Sequence, residues 1–143
     1  MKRSFLLHNL ALCFAVIAIL GGLSACTVTT TGSQTDAITR SGGWVFDSFA
    51  TGTTSTPSAN QTIVYTGMTA VFTASGSVTF TTTAAAQMAG APATYAGTWS
   101  LSGLTTLTLT VPNLYTGTFS IDELTATALQ YSGAGLTWKW KAK

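Results

Sequence analysis

The chain has 143 residues, of which only 7% are charged, and two of its six basic residues are Lys2 and Arg3. From residue 26 onward four basic residues stand against four acidic ones, and this lack of net charge argues against a nucleic-acid partner, whose phosphates need Lys and Arg. The single histidine, His8, and one of the two cysteines, Cys13, also precede residue 26, which excludes a disulfide, a cysteine–zinc site and a histidine-dependent triad from the remainder. Residues 26–143 suffice for one domain.

The first 25 residues have the layout of a signal peptide. Lys2 and Arg3 form a basic start, and an apolar run from Leu10 to Leu23 follows them. This run is too short to cross a bilayer comfortably, but it fits the hydrophobic region of a signal peptide. An uncleaved membrane anchor and an ordinary secretory signal are the alternatives that this pattern leaves open.

The apolar run ends in Leu23, Ser24, Ala25 and Cys26. This tetrad resembles the lipobox of bacterial lipoproteins. The resemblance implies that diacylglycerol is transferred to the sulfur of Cys26 and that the leader is cleaved before this residue. The lipid on Cys26 would then anchor the protein to the membrane. Because each buried methylene contributes about 0.8 kcal/mol, two or three acyl chains such as palmitate attach a protein durably. Thr27 stands where Asp favours inner-membrane retention in enterobacterial-type sorting, so the predicted location is the cell envelope, on the outer membrane.

A tether and a single folded domain are predicted after the leader. Residues 26–40 comprise the lipidated cysteine and a polar stretch, Thr27 to Arg40, which has one glycine and no apolar period. Such a stretch predicts a flexible linker. From Ser41 the composition changes to Thr, Gly and alternating apolar residues, so residues 41–143 are predicted to form the domain.

The domain is predicted to consist of short strands separated by turns. Thr is β-branched and favours strands, and no window shows the apolar spacing of a helix. Ser75-Gly76 is typical of a two-residue hairpin turn that needs positive φ. Residues 84–92 fit no strand and are predicted to form a loop or a single helical turn. The predicted strands are residues 44–49, 62–66, 69–74, 77–83, 95–101, 104–111, 115–121, 124–131 and 136–141.

This spacing predicts an all-β fold, an antiparallel up-and-down meander of about eight strands that closes into a barrel, with a β-sandwich as the alternative. Three strands alternate clearly enough to assign an inner face, because neighbouring side chains of a strand point to opposite sides. The residues predicted to face inward are Tyr95, Gly97, Trp99, Leu101, Leu107, Leu109, Val111, Leu136, Trp138 and Trp140.

Two motifs resemble those of lipocalin-like barrels. Gly42 and Trp44 match the Gly-x-Trp opening of that family. Residues 96–101 (AGTWSL), followed by residues 104–107 (LTTL), resemble a hairpin of small lipocalin-like bacterial lipoproteins. The resemblance covers nearly the whole folded domain, and it implies a barrel that carries a ligand at its mouth.

The chain departs from the lipocalin pattern at one position. In that family a later Arg packs over the first-strand Trp, and no such motif follows in this sequence. Only Lys139 or Lys141 stands in a corresponding place, and both are predicted to face outward. Ligand carriage is therefore implied less directly than the barrel itself.

The carboxylates of the domain do not form a catalytic arrangement. Asp122 and Glu123 are sequence neighbours that would point to opposite sides of a strand, and they are predicted to form a polar turn. Asp47 lies opposite the apolar face of its strand and is predicted to be solvated. A glycosidase needs two carboxylates across one cleft, and the threonine hydroxyls have no base to activate them. No catalytic residue, metal site or cofactor is predicted.

The aromatic residues are the candidates for binding. They can line an apolar pocket at the mouth of a barrel, or they can simply fill the interior of a small one. The first hypothesis places a small apolar ligand at the mouth near Trp44, Trp99 and Trp138. The alternative is an interaction module with a filled core, which contacts an envelope protein or glycan through its outer faces. The candidate pocket residues are Trp44, Phe46, Phe72, Phe80, Trp99, Phe119, Trp138 and Trp140.

Overall fold

The structure, a computed structural model, describes residues 33–50 and 55–143. Three short helices are α1 (Gln34–Ile38), α2 (Ala59–Tyr65) and α3 (Ala84–Met88). The strands are β1 (Trp44–Ala50), β2 (Thr69–Phe72), β3 (Ser77–Thr81), β4 (Thr94–Ser102), β5 (Thr106–Val111), β6 (Tyr115–Leu124), β7 (Ala128–Gly133) and β8 (Leu136–Ala142).

The eight strands form a closed antiparallel barrel in sequence order. Each strand pairs with the next, and β8 returns to β1, where Trp44 lies opposite Ala142. Bulges interrupt the register in β1, between Phe46 and Ser48, and in β6, between Ile121 and Glu123. The predicted all-β, up-and-down barrel is confirmed, and closure excludes the sandwich.

The core occupies the barrel interior, as the alternation predicts. Leu107, Leu109 and Val111 are fully buried on β5, while the threonines between them face outward. Gly97 is an inner position of β4 that must remain small, because a Cβ there would collide with the carbonyl oxygen of Thr110 on the neighbouring strand. Glycine thus permits close contact between β4 and β5.

The strand predicted for residues 62–66 is wrong, because residues 62–65 belong to helix α2 and Thr66 is its C-cap. Ser58 caps this helix: its hydroxyl accepts from the backbone N–H of Gln61 (3.2 Å), and its own N–H donates to the Gln61 side chain (2.8 Å). This reciprocal pair is a capping box, which starts a helix. The β-branched run Thr62-Ile63-Val64 favours a strand by propensity, but the cap and the burial of Tyr65 outweigh that preference.

The end of the predicted flexible tether is also ordered. Ser33 caps α1 through a capping box with Asp36, and Ile38 at the end of this helix is fully buried in the core. The few apolar residues of this polar stretch, Val28, Ala37 and Ile38, give no periodic signal, so only the packing reveals the burial of Ile38. Residues 1–32, which contain the predicted leader, the lipobox and the first part of the tether, lie outside the described residues.

Two further segments differ in detail from the prediction. Asp122 and Glu123 lie within β6 at its bulge, and the turn follows them. There the hydroxyl of Thr125 accepts from the N–H of Ala128 (2.9 Å), so β7 begins later than predicted. The segment predicted as a loop or single helical turn contains helix α3, which Thr83 caps.

Candidate functional site: the mouth of the barrel

One end of the barrel is closed by α1 and the turns near it. The indole N–H of Trp44 donates to the carbonyl oxygen of Ile38 (2.8 Å), and the Arg40 guanidinium lies 5.3 Å from the centre of the Trp44 ring. Arg40 also donates to the carbonyl oxygen of Ala126, and Gln34 donates to that of Leu104 (2.7 Å). These contacts attach α1 and the residues after it to this end of the barrel.

The cation on the Trp44 ring is thus Arg40, which precedes β1, and neither Lys139 nor Lys141. A guanidinium over an indole face is attracted by the ring quadrupole. Lys141 instead pairs with Asp47 on the outer wall (3.1 Å), where both side chains are exposed. The sequence pattern pointed to the C-terminal strand, whereas the cation comes from the segment that precedes β1.

Helix α2 lies across the opposite end of the barrel. Its last residue, Tyr65, is buried in the interior, with its ring centre 5.2 Å from that of Phe46 and 6.4 Å from that of Trp140. A cavity of about 380 Å³ opens beside this helix. We call it the mouth cavity, and its lining residues are Ser55, Thr56, Gln61, Tyr115, Thr116, Phe119, Ala134, Leu136 and Trp138.

A second, smaller groove of about 220 Å³ lies on the other side of α2. It is formed between that helix and the segment after α3, and it includes Ile63, Val64, Pro92 and Tyr95. Ile63 is 43% exposed, so this groove is shallow and open to solvent. Among its lining residues it touches one buried aromatic side chain of the core, that of Tyr95.

The eight predicted pocket residues are all buried, but they do not share one pocket. Only Phe119 and Trp138 line the mouth cavity. Trp44 lies under α1, and the indole N–H of Trp99 donates to the carbonyl oxygen of Thr73 (3.0 Å) in the β2–β3 turn, so both belong to the closed end. The prediction that Trp44 and Trp99 lie at the mouth is therefore wrong. The other four, Phe46, Phe72, Phe80 and Trp140, pack in the core.

Tyrosines complete the site, and sequence reasoning missed them. The hydroxyls of Tyr115 and Tyr131 form a hydrogen bond of 2.7 Å inside the barrel. Tyr131 is stacked between Trp138 and Trp140, with ring centres 5.5 Å and 6.5 Å away. Alternation along β6 and β7 places both tyrosines on the inner face with Phe119 and Leu129, which is a signal that the sequence contains.

The hydroxyl groups of these tyrosines are uncharged donors. Removal from water raises the pKa of Tyr65, Tyr115 and Tyr131 well above the ordinary value, and the neighbouring phenols reinforce the rise for Tyr65 and Tyr115. The nearby indole N–H of Trp138 opposes the rise for Tyr65. All three phenols consequently keep their protons throughout the neutral range.

The mouth cavity contains no charged side chain among its described lining residues. The described part of the chain also contains no group of three or more residues that could hold a metal ion. None of the helices found in residues 33–50 and 55–143 has the length and apolarity needed to cross a bilayer. The cavity thus combines apolar and aromatic side chains with the hydroxyl-bearing residues Ser55, Thr56 and Thr116.

Comparisons with known proteins give a likeness of fold. No family model matches the chain, and no curated protein matches it. An uncharacterized protein from Bacteroides eggerthii is 12% identical, with a TM-score of 0.51, over 71% of this chain and 98% of that one. A lipocalin-like protein from Bacteroides uniformis is 15% identical, with a TM-score of 0.44, over 53% of this chain and 78% of that one. At these identities the resemblance to solved structures concerns the barrel fold alone.

Proposed function

We propose that the chain is a lipid-anchored lipoprotein of the bacterial cell envelope whose barrel binds a small apolar ligand in the mouth cavity. In this proposal the protein catalyses no reaction. The observation that carries the binding part is this cavity of about 380 Å³, which opens onto the rings of Tyr115, Phe119 and Trp138. Ligand sites are clefts of roughly 300–1,000 Å³ with apolar and aromatic walls and a few polar groups. The mouth cavity has this size and this lining.

The anchor part of the proposal rests on Leu23 to Cys26 and on the path of the chain. Seven residue steps separate Cys26 from Ser33, where the described structure begins, and they span at most about 25 Å. Helix α1 then leads into the closed end of the barrel. An anchored barrel would therefore have its closed end near the membrane and its mouth on the far side, and the outer membrane is the proposed location.

The absence of catalysis is part of the same proposal. No carboxylate, imidazole or ammonium group lines the described mouth cavity, and acid–base chemistry needs such a group within hydrogen-bond reach of the substrate. Reproducible hydrolase activity that Asp47→Asn abolishes would refute this part.

Binding is tested with N-phenyl-1-naphthylamine, an uncharged fluorophore that brightens in apolar sites, added to the chain from residue 27 onward. All eight strands of the closed barrel and the core residues named above lie within residues 33–50 and 55–143, so this form retains them. We expect saturable binding that Leu136→Arg weakens at least about tenfold, because a charge in the cavity must remain hydrated. The matched control is Leu104→Arg, at a leucine that is 66% exposed in the turn at the closed end, which should bind as the unmodified chain does.

Leu136→Ala gives a second measurement, because it enlarges the cavity without adding a charge. It should retain binding while Leu136→Arg loses it, and thermal melts of both variants check that the barrel is folded. No saturable binding by the unmodified chain, or equal loss in Leu104→Arg, would contradict the proposed ligand site.

The anchor is tested by feeding labelled palmitate to bacteria that express the full chain. Label should enter the protein and disappear with Cys26→Ser. Cys13→Ser is the matched control, because it removes the other thiol of the chain and should leave labelling unchanged. Label that persists in Cys26→Ser would refute lipidation at this residue.

A second candidate, an interaction module without a ligand, is favoured by the packing below the mouth. Phe80 lies 5.7 Å from both Tyr115 and Trp140, and Phe46 lies 5.4 Å from Trp140, measured between ring centres. These rings fill the deeper part of the barrel, so any ligand would be held only in its upper part. An envelope partner that remains bound after Leu136→Arg, combined with no response to the fluorophore, would favour this candidate.

A further inference from the structure

Tyr65 differs in origin from the other aromatic residues of the interior. Among the described residues it is the one buried aromatic side chain that comes from a helix, whereas the others come from the eight strands. It is also the single buried residue of α2, and only 4% of it is exposed. Helix α2 is therefore attached to the barrel chiefly through this one ring, which enters the interior from the mouth.

The neighbours of Tyr65 include residues that line the mouth cavity. Gln61, one helical turn earlier on α2, lines the cavity, and residues four positions apart lie on the same face of a helix. The rings of Tyr65 and Tyr115 are stacked with their centres 6.3 Å apart, and the Tyr65 hydroxyl lies near the indole N–H of Trp138. Tyr115 and Trp138 are lining residues as well. Tyr65 therefore lies behind the cavity wall, on the side of the barrel interior.

On its other sides Tyr65 packs against rings of the deeper core. Its ring centre lies 5.2 Å from those of both Phe46 and Phe49 and 6.4 Å from that of Trp140. Close-packed rings leave no room for a ligand where the phenol stands. Since an apolar cavity of about 150 Å³ is enough to hold benzene, the Tyr65 ring occupies space that a ligand segment of about six carbon atoms would fill.

Resting on the proposed function, we propose that Tyr65 is a size-determining residue of the ligand site, because its ring ends the mouth cavity and limits how far a hydrocarbon chain extends into the barrel. Each methylene that enters the cavity raises the affinity about fourfold. Methylenes for which Tyr65 leaves no space remain in water and add nothing. The ligand class that uses the site fully is therefore an uncharged molecule with a hydrocarbon chain of limited length.

The experiment measures how deep a hydrocarbon chain can enter. Alkyl glucosides from hexyl to tetradecyl share one uncharged head, which stays in water, and differ only in the length of the alkyl chain. Each is added below its micelle concentration to the protein from residue 27 onward, and its affinity is measured by displacement of N-phenyl-1-naphthylamine. For the unmodified protein the affinity should rise about fourfold per methylene among the shorter members and then stay constant among the longer ones.

Variants at Tyr65 assign this limit to its ring. Tyr65→Ala should extend the rise in affinity by about four to six further carbon atoms, because it opens the space of one aromatic ring. Tyr65→Leu removes less volume and should extend the rise by fewer carbon atoms, and it carries the test if Tyr65→Ala does not fold. Tyr65→Phe keeps the ring and should leave the limit unchanged. Thermal melts check the folding of each variant.

The matched control is Phe72→Ala, which removes a buried ring near the closed end, 5.6 Å from the Trp99 ring between centres. It should lower stability without moving the limit, because the space that it opens does not adjoin the mouth cavity.

The outcomes separate this inference from the proposed function. An affinity that keeps rising to the tetradecyl compound in the unmodified protein would overturn the inference, and so would a limit that Tyr65→Ala and Tyr65→Leu leave unchanged. An equal extension in Phe72→Ala would also overturn it, since the cause would then be a general loosening of the barrel. If neither N-phenyl-1-naphthylamine nor any glucoside binds the unmodified protein, the proposed ligand site itself fails.

Discussion

Truncation of Ile38 tests whether the segment before β1 belongs to the folded domain. This side chain is fully buried under the closed end of the barrel. Ile38→Ala removes three carbon atoms, which at about 0.8 kcal/mol per buried methylene is roughly 2.4 kcal/mol, and the cavity that remains raises the expected loss to about 3–4 kcal/mol. That is a large part of the 5–15 kcal/mol that typically stabilises a domain.

The assay is urea unfolding of the chain from residue 27 onward, followed by tryptophan fluorescence. With a denaturant slope of about 1.5 kcal/mol/M, Ile38→Ala should lower the midpoint by about 2 M. Thr35→Ala is the matched control, because Thr35 is exposed on the same helix and its loss should change stability by less than about 0.5 kcal/mol. A loss below about 1 kcal/mol for Ile38→Ala would show that α1 is not packed against the barrel and that the segment is a tether after all.

Three further predictions concern the two ends of the barrel and its tyrosines. Arg40→Met should lower the free energy of unfolding by about 1–2 kcal/mol in the same urea assay, because it removes the contacts with the Trp44 ring and with the carbonyl oxygen of Ala126. The control is Lys139→Met, at a lysine without these contacts, which should change the free energy by less than about 0.5 kcal/mol. Ser58→Ala removes the cap of α2 and should cost about 1 kcal/mol, seen as faster hydrogen exchange in this helix; exchange that is unchanged would contradict the role of the cap. Burial raises the pKa of Tyr65, Tyr115 and Tyr131, so the free energy of unfolding should be constant from neutral pH up to the ordinary phenol pKa of about 10 and should then fall as pH rises. Tyr131→Phe should reduce that fall. Urea midpoints that stay constant to about pH 12 would refute the burial of the phenols.

The strands were predictable because their signals are local. Alternation of apolar and polar residues assigns the faces of β5 and β8, and the structure buries Leu107, Leu109, Trp138 and Trp140 accordingly. The turn at Ser75-Gly76 connects β2 and β3 as predicted, and Gly76 has a φ of 85°. The connection comprises residues 73–76, however, so it is longer than the predicted two-residue turn. Such patterns involve residues close in sequence, so they can be interpreted without knowing what lies across the barrel.

The helices and the site were harder to predict for different reasons. Helix α2 has a capping signal at Ser58 and Gln61, but its β-branched interior favours a strand. The position of Arg40 over Trp44 depends on how the segment before β1 folds back, which no local pattern specifies. The division of the aromatic residues between the closed end and the mouth likewise depends on the direction of each strand in the closed barrel.

The strand-rich domain, its alternating faces and an interior filled by aromatic residues were all predictable from local patterns, because a strand's period of two relates each residue to its near neighbours. Which rings line the mouth cavity, and that Tyr65, Tyr115 and Tyr131 pack among the interior rings, becomes visible only in the folded barrel. These features arise from residues far apart in the chain, and their hydrogen bonding is settled only when the barrel closes and water is excluded.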